Sequence, residues 1–218
     1  MQPLHIVGIA LIKNEDIYIE RAIKNVLDFC DEFIAVDNCS RDLTFEIIKK
    51  IAADSAGKMF VHHVDHPEIS HDLISKYAGT NTWVFAVDGD EVYDPSGLRK
   101  MRVLLESGEF DKDWCIFGNV LNVKNLSLQD RTADGHLAPP CRSMTKLYNF
   151  SAIDAWEGPC QERLHGGNII FRKGFDAGMR RDLHQTLSWD DSPFRCLHLC
   201  FLKRSSLDKK ETIRLNIM

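Results

Sequence analysis

Five consecutive apolar residues, Trp83-Val84-Phe85-Ala86-Val87, run directly into Asp88-Gly89-Asp90-Glu91. A run so short and so rich in aromatic and β-branched types reads as a strand buried on both faces. The carboxylates then arrive together where that strand should turn, with Gly89 expected to supply a backbone dihedral that bulkier residues avoid. In an open α/β sheet, ligands bind in the crevice at the carboxyl ends of the strands. Adjacent carboxylates there repel and raise one another's pKa unless a cation lies among them. Hard oxygen donors suit Mg2+ or Mn2+, so Asp88 and Asp90 are expected metal ligands. The competing reading is a plain turn, in which Asp and Gly merely end the strand.

The rest of the first half repeats the strand and helix alternation. Leu4 to Ile12 reads as the first strand, and Asn14 is expected to cap a helix carrying Ile19, Ala22, Ile23, Val26 and Leu27. Glu32 to Val36 reads as the second strand, ending in Asp37-Asn38-Cys39-Ser40-Arg41-Asp42, with a helix through Phe45, Ile48 and Ile51 behind it. Lys58 to Val61 is the third strand, and Ser70 is expected to cap a helix reaching Lys76. Such alternation implies parallel β-α-β units with right-handed crossovers.

After the helix carrying Leu98, Met101 and Leu105 the rhythm changes. Trp114 to Val123 reads as one long strand, Asn125 to Pro140 as a polar loop, and shorter strands are expected near Thr145 to Phe150, Asn168 to Phe171 and Arg195 to Phe201. Ser205 to Met218 reads as a helix. The 218 residues fit one domain, with residues 1–100 forming a nucleotide-binding-type half and 101–218 a second half of different rhythm. The ending at Arg214-Leu215-Asn216-Ile217-Met218 carries no stop signal, as expected of the N-terminal part of a longer protein.

A net charge of -5 offers no footprint for nucleic acid. No apolar run approaches a membrane span, and seven cysteines without a C-x-x-C pair point to a reducing compartment, so a cytoplasmic location is expected. In Cys196-Leu197-His198-Leu199-Cys200 strand periodicity would put both thiols and the imidazole on one face. The histidines at 62, 63, 66 and 71 form a cluster only on paper, because four ligands on one irregular stretch seldom converge.

With these residues laid out, the chain resembles the family 2 glycosyltransferases with the GT-A fold. The resemblance rests on Leu11-Ile12-Lys13-Asn14-Glu15, on Val36-Asp37-Asn38-Cys39-Ser40-Arg41-Asp42, and on Trp83 through Asp90-Glu91. A second set, Thr145-Lys146-Leu147-Tyr148-Asn149, Trp156-Glu157-Gly158, Gln161-Glu162-Arg163-Leu164 and Leu197-His198-Leu199, is similar to the acceptor side of one branch of that family, which implies that 101–218 is the acceptor-binding half. The resemblance implies a nucleotide-binding α/β/α sandwich with a mostly parallel mixed sheet. It also implies a metal-dependent inverting transfer of a sugar from a nucleotide diphosphate donor, UDP-linked by preference, to a hydroxyl of a glycan or glycoconjugate.

Residue roles follow from the same resemblance. Asp88, Asp90 and His198 would hold Mn2+ or Mg2+, although a buried histidine is by itself more often a core residue. Glu162 would be the general base, with Glu157 and Asp154 in reserve; Gln161 stands where the branch has a His. Ala10, Leu11, Glu15, Asp37, Asn38, Asp88 and Gly89 would line the nucleotide. His71 or Lys76 would meet the diphosphate, because the Arg-Asn pair common in that branch is missing here. Two other functions compete: a nucleotidyltransferase, disfavoured by the acidic Lys13-Asn14-Glu15-Asp16 turn, and a sugar-nucleotide-binding module without turnover.

Overall fold

The computed structural model describes residues 3–138, 146–162 and 164–209, without the side chains of Gln161 and Glu162. Strands β1 (His5–Ile12), β2 (Glu32–Asn38), β3 (Met59–Val64) and β4 (Thr82–Ala86) alternate with helices α1 (Ile19–Val26), α2 (Thr44–Asp54) and α3 (Ile69–Ser75). There follow β5 (Glu91–Tyr93), α4 (Pro95–Glu106), β6 (Cys115–Phe117), β7 (Asn119–Ser127), β8 (Thr132–Ala138) and β9 (Lys146–Asn149). The described chain then runs through β10 (Ile153–Glu162), β11 (His165–Phe171), β12 (Arg180–Asp182), α5 (Leu183–Thr186) and β13 (Arg195–His198).

Seven strands form the main sheet in the order β12-β6-β9-β4-β1-β2-β3. β3, β2, β1 and β4 are parallel, as are β6 and β12, while β9 runs against both β4 and β6. This is the mostly parallel, mixed α/β sheet that the resemblance implies. Apolar residues on alternate sides of the strands feed two cores. Ile6, Ala10, Phe33, Ala35, Trp83 and Phe85 pack with α1, α2 and α4 on one face. Val7, Ile9, Ile34, Val36 and Val84 pack on the other against α3 and the β10–β11 hairpin, so that layer is half helix and half hairpin. Burying a side chain such as Phe85, which is 0% exposed, contributes about 1.5–3 kcal/mol.

A second sheet, β5-β13-β7-β8, stands at the carboxyl end of β4. It forms because the expected Trp114 to Val123 strand is broken at Gly118: β6 joins the main sheet, and β7 leaves it to pair with β13. The polar stretch from Asn125 is likewise no loop. It completes β7 and returns as β8, with Ser127 opposite Thr132. Its polarity reflects an exposed edge hairpin, and positive φ at Arg131 closes the turn. Pro139, Pro140 and Thr145 lie outside the described residues, as does the expected Ser205 to Met218 helix beyond residue 209; its described start, 205–209, is a turn rather than a helix, because Ser205 is tied to Asp42.

Both proposed helix caps differ from expectation. Asn14 takes positive φ, and its Oδ1 accepts a hydrogen bond from Arg41 N at 2.8 Å, so it ties two loops together while α1 starts later, at Ile19. Ser70 lies inside α3, where its hydroxyl donates to Pro67 O at 2.6 Å. Among the described residues no helix is long and apolar enough to cross a membrane.

Candidate active site

The turn after β4 is stitched in both directions. Asp88 N donates to Glu91 Oε2 at 3.2 Å and Glu91 N to Asp88 O at 3.1 Å. Tyr93 completes the support, its hydroxyl donating to Glu91 Oε2 at 2.6 Å. Asn25 on α1 grips the Tyr93 backbone through both its amide groups, at 3.0 and 2.6 Å, which fixes β5 against that helix. Gly89 is needed here for a reason other than the expected dihedral. Its φ is not positive; instead a Cβ at this position would overlap Glu15 Oε2 and press on Ile19 Cδ1 at 2.9 Å.

β13 pairs antiparallel with β5, setting His198 opposite Glu91. Asp88, Asp90 and His198 thereby present one ligand atom each within 4.8 Å of one another. His198 Nε2 lies 3.3 Å from Asp90 Oδ1, and on its other side Nδ1 meets Asn122 Oδ1 at 2.9 Å. Since a carbonyl oxygen only accepts, Asn122 fixes the proton on Nδ1 and turns Nε2 toward the carboxylates. Asp90 is 1% exposed, and its Oδ2 accepts no hydrogen bond among the described residues. Two carboxylates and an imidazole brought together, one of their oxygens buried without a hydrogen-bond donor among the described residues, form a donor set that fits Mn2+ or Mg2+.

The charges are strongly interdependent. Burial alone would raise the Asp90 pKa, but the adjacent His198 outweighs it and holds the carboxyl below its ordinary range. Burial would lower His198, yet Asp90 overrides it and the imidazole lies well above its usual value. Glu91, deeper and facing Asp88, is pushed up to about 7, first by burial and then by the Asp88 charge. The three carboxylates are thus differentiated, and the buried Glu91 supports the turn from below.

Two side chains far away in sequence complete the site. Arg204 Nη1 lies 3.0 Å from Glu15 Oε1 and 3.5 Å from Asp90 Oδ2. Neither Arg204 nor Asn122 stands out in the sequence: one sits in a short polar segment after β13 that is pinned to the loop after β1, the other inside β7, where the pairing with β13 discloses its role. A cavity of about 830 Å3 lined by Tyr18, Val92, Leu197 and Leu199 opens on the reverse face of β5 and β13, away from His198.

The residues expected to line a nucleotide lie at the same sheet end. Ala10 is wholly buried in β1, with Leu11 partly covered beside it. Asp37 is 0% exposed; its Oδ2 accepts from Ser40 N at 3.2 Å and lies 2.8 Å from His63 Nδ1, while Oδ1 accepts nothing among the described residues. Asn38 follows at the end of β2, half-buried. Glu15 is buried and accepts from Arg204, and its backbone N–H donates to Thr44 Oγ1 at 2.8 Å.

Lys76 is a correction. It closes α3 at the amino end of the sheet, 4.0 Å from Glu32 at the start of β2, so the length of the strands separates it from Asp88. His71 is also committed elsewhere, buried with Nε2 3.0 Å from Trp156 O. The paper cluster of histidines disperses: His63 turns to Asp37, His66 to Asp65 and Glu68, and His71 to Trp156.

Among the base candidates, Asp154 pairs with Arg172 at 3.4 Å, and Arg172 reaches Gly79 O at the amino end of β4, remote from the carboxylate cluster. Glu157 is exposed on β10 opposite Asn168. The Glu162 side chain lies outside what is described, but its backbone pairs with His165. His165 Nε2 is 3.4 Å from Lys146 Nζ, and Lys146 pairs with Ala86, two residues before Asp88. The end of β10 therefore stands at the carboxyl end of β4. Cys196 and His198 share a buried face as expected, and burial raises the Cys196 thiol well above its usual pKa, which marks it as a packing residue.

Comparison with known proteins gives these observations a family. The chain is 27% identical over 166 residues to the uncharacterized glycosyltransferase RP128 of Rickettsia prowazekii (strain Madrid E), covering 76% of this chain and 53% of that protein. It is 35% identical over 166 residues to the uncharacterized glycosyltransferase RT0209 of Rickettsia typhi (strain ATCC VR-144 / Wilmington), with the same 76% and 53% coverage. The chain thus spans about half the length of the curated relatives it matches. Among solved structures, Staphylococcus aureus TarS 1-349 in complex with UDP is similar over 68% of this chain and 48% of that chain, with 17% identity and a TM-score of 0.47. Glucosyl-3-phosphoglycerate synthase from Mycobacterium tuberculosis, in complex with Mn2+, UDP and glucosyl-3-phosphoglycerate, covers 69% of this chain and 58% of that chain, with 17% identity and a TM-score of 0.43. A model of glycosyl transferase family 2 matches residues 9–188, most of the chain including the Asp88 turn, and the chain belongs to that family.

Proposed function

We propose that this domain is the catalytic part of a metal-dependent, inverting glycosyltransferase that takes a UDP-linked sugar and delivers it to a hydroxyl of a glycan or glycoconjugate. The observation that carries the reading is the Asp88, Asp90 and His198 trio, three ligand atoms within 4.8 Å at the end of a buried strand, in a chain of this family. Mn2+ or Mg2+ held there would supply Lewis-acid stabilisation of the negative charge that develops on a departing diphosphate. Asn122 keeps His198 in the tautomer that can ligate, and Glu91 with Tyr93 holds the turn on which Asp88 and Asp90 ride. Ala10, Leu11, Asp37 and Asn38 are assigned to the base and ribose; the buried Asp37 Oδ1 is an acceptor awaiting a donor. A site built to hydrogen-bond one base discriminates against others because mismatched ligands leave its buried groups unpaired. Glu162 is assigned to remove the acceptor proton as its oxygen attacks the anomeric carbon, with Glu157 as the alternative on the same strand.

A thermal-shift screen of nucleotide sugars with and without Mn2+ tests this reading, since a ligand that binds only the folded state raises its apparent stability. The expected outcome is a Mn2+-dependent rise with UDP-sugars. A rise with nucleoside triphosphates and none with any nucleotide sugar would overturn it in favour of nucleotidyl transfer.

A further inference from the structure

Two arginines in this protein meet carboxylates in different ways. Arg195 commits two nitrogens, Nε at 3.1 Å and Nη2 at 2.9 Å, to the single oxygen Asp94 Oδ2, a charge-assisted structural pair. Arg204 instead divides a single nitrogen, Nη1, between Glu15 Oε1 at 3.0 Å and Asp90 Oδ2 at 3.5 Å, while its Nε is buried without an acceptor among the described residues. Its hold on Asp90 is the looser of the two contacts. The oxygen it covers belongs to a carboxylate of the metal trio.

The backbone around Arg204 is fixed more firmly than its head group. Ile17 N donates to Arg204 O at 3.1 Å, Ser206 N donates to Asp16 Oδ1 at 2.7 Å, and the Ser205 hydroxyl donates to Asp42 Oδ2. The segment is a strap pinned across the loops that follow β1 and β2, and it delivers the guanidinium to the carboxylate cluster. With the strap held and Glu15 as a second anchor, the guanidinium can release Asp90 without leaving the site.

We propose that Arg204 is a resident counter-cation of Asp90, which a divalent ion must displace and which the strap and Glu15 then retain beside the bound ion. The inference rests on the metal reading given above. A divalent ion on Asp90 and a guanidinium on the same carboxylate repel one another, so Arg204 opposes metal loading in the absence of nucleotide. Removing its charge should tighten Mn2+ binding by at least on the order of tenfold, the repulsion that such charges several ångströms apart would retain even at aqueous dielectric.

Mn2+ titration of the nucleotide-free protein, read by electron paramagnetic resonance of the free ion, tests this on wild type, Arg204→Gln, Arg204→Lys, Glu15→Gln and Asp90→Asn at one pH and salt concentration. Arg204→Gln is expected to bind at least about tenfold more tightly and Arg204→Lys within about threefold of wild type. Glu15→Gln is expected to bind severalfold more weakly, because the other anchor of Arg204 loses its charge and the guanidinium shifts toward Asp90; this variant carries the test if Arg204→Gln fails to fold by circular dichroism. Unchanged or weaker binding in folded Arg204→Gln, or unchanged binding in Glu15→Gln, overturns the inference. If Asp90→Asn abolishes binding while Arg204→Gln matches wild type, only this inference falls. If neither wild type nor Arg204→Gln binds Mn2+, or Asp90→Asn binds as wild type does, the metal reading falls and this inference with it.

Discussion

Asn122 Oδ1 accepts a hydrogen bond from His198 Nδ1 at 2.9 Å, and this contact between neighbouring strands decides which imidazole nitrogen faces Asp90. Partners of this kind orient a ligating histidine, and losing one typically costs about 10–100-fold in metal affinity. Asn122→Ala is therefore expected to weaken Mn2+ binding by that factor while His198 remains in place. Isothermal titration with Mn2+ checks it; affinity equal to wild type would mean that packing alone orients His198.

Gly89 yields a prediction about space. Any Cβ there meets the Glu15 carboxylate and Ile19 Cδ1, so Gly89→Ala must push the turn or the Glu15 side chain aside. Overpacking of this sort costs about 1–3 kcal/mol. Chemical denaturation should show that loss, and Glu15→Ser in the same background should recover part of it by vacating the overlapped position. Equal stability of Gly89→Ala and wild type would show that the turn yields freely.

The Asp94 pair supplies a pH dependence. Burial would raise the Asp94 pKa, but its hydrogen bond from Arg195 and those from the Gly97 and Ser96 backbone outweigh burial and lower it. A carboxyl whose folded pKa lies below its unfolded value stabilises the protein above the unfolded pKa, and that contribution fades as pH falls through the folded one. Urea midpoints should accordingly separate wild type from Asp94→Asn at pH 7 and converge as pH drops below about 4, the ordinary Asp value. A gap that persists unchanged to pH 2.5 would contradict the assignment.

Much of this site is legible in the sequence because local pattern and function coincide there. The run from Trp83 to Val87 needs burial on both faces, and Asp88 and Asp90 can only follow at its end. What escapes is set by pairing between distant segments. Asn122 and His198 meet through a parallel register between β7 and β13, and Arg204 reaches Glu15 across 189 positions, with no periodicity in either segment to announce it. The resemblance implies that Lys76 meets the diphosphate, but α3 carries it back to the amino end of the sheet, beside Glu32, which the order of residues does not show. The Asn125 stretch shows the converse error, since an exposed edge hairpin is polar on so much of its surface that it reads as a loop.

The base and the ion should separate cleanly by mutation. Under the proposed assignment Glu162 acts only on the acceptor proton, so Glu162→Gln should retain Mn2+-dependent UDP binding while transfer falls about 100–10,000-fold, the usual contribution of general base catalysis. Asp88→Ala removes a ligand of the ion that would meet the diphosphate, so it should lose both transfer and Mn2+-dependent UDP binding. The two variants are distinguished by measuring UDP affinity and single-turnover transfer side by side. Because Glu157 lies on the same strand, Glu157→Gln is the internal comparison, and transfer surviving in Glu162→Gln but failing in Glu157→Gln would move the base along β10. Undiminished transfer in both would mean that neither carboxylate takes the proton, and the acceptor side of the site would have to be assigned anew.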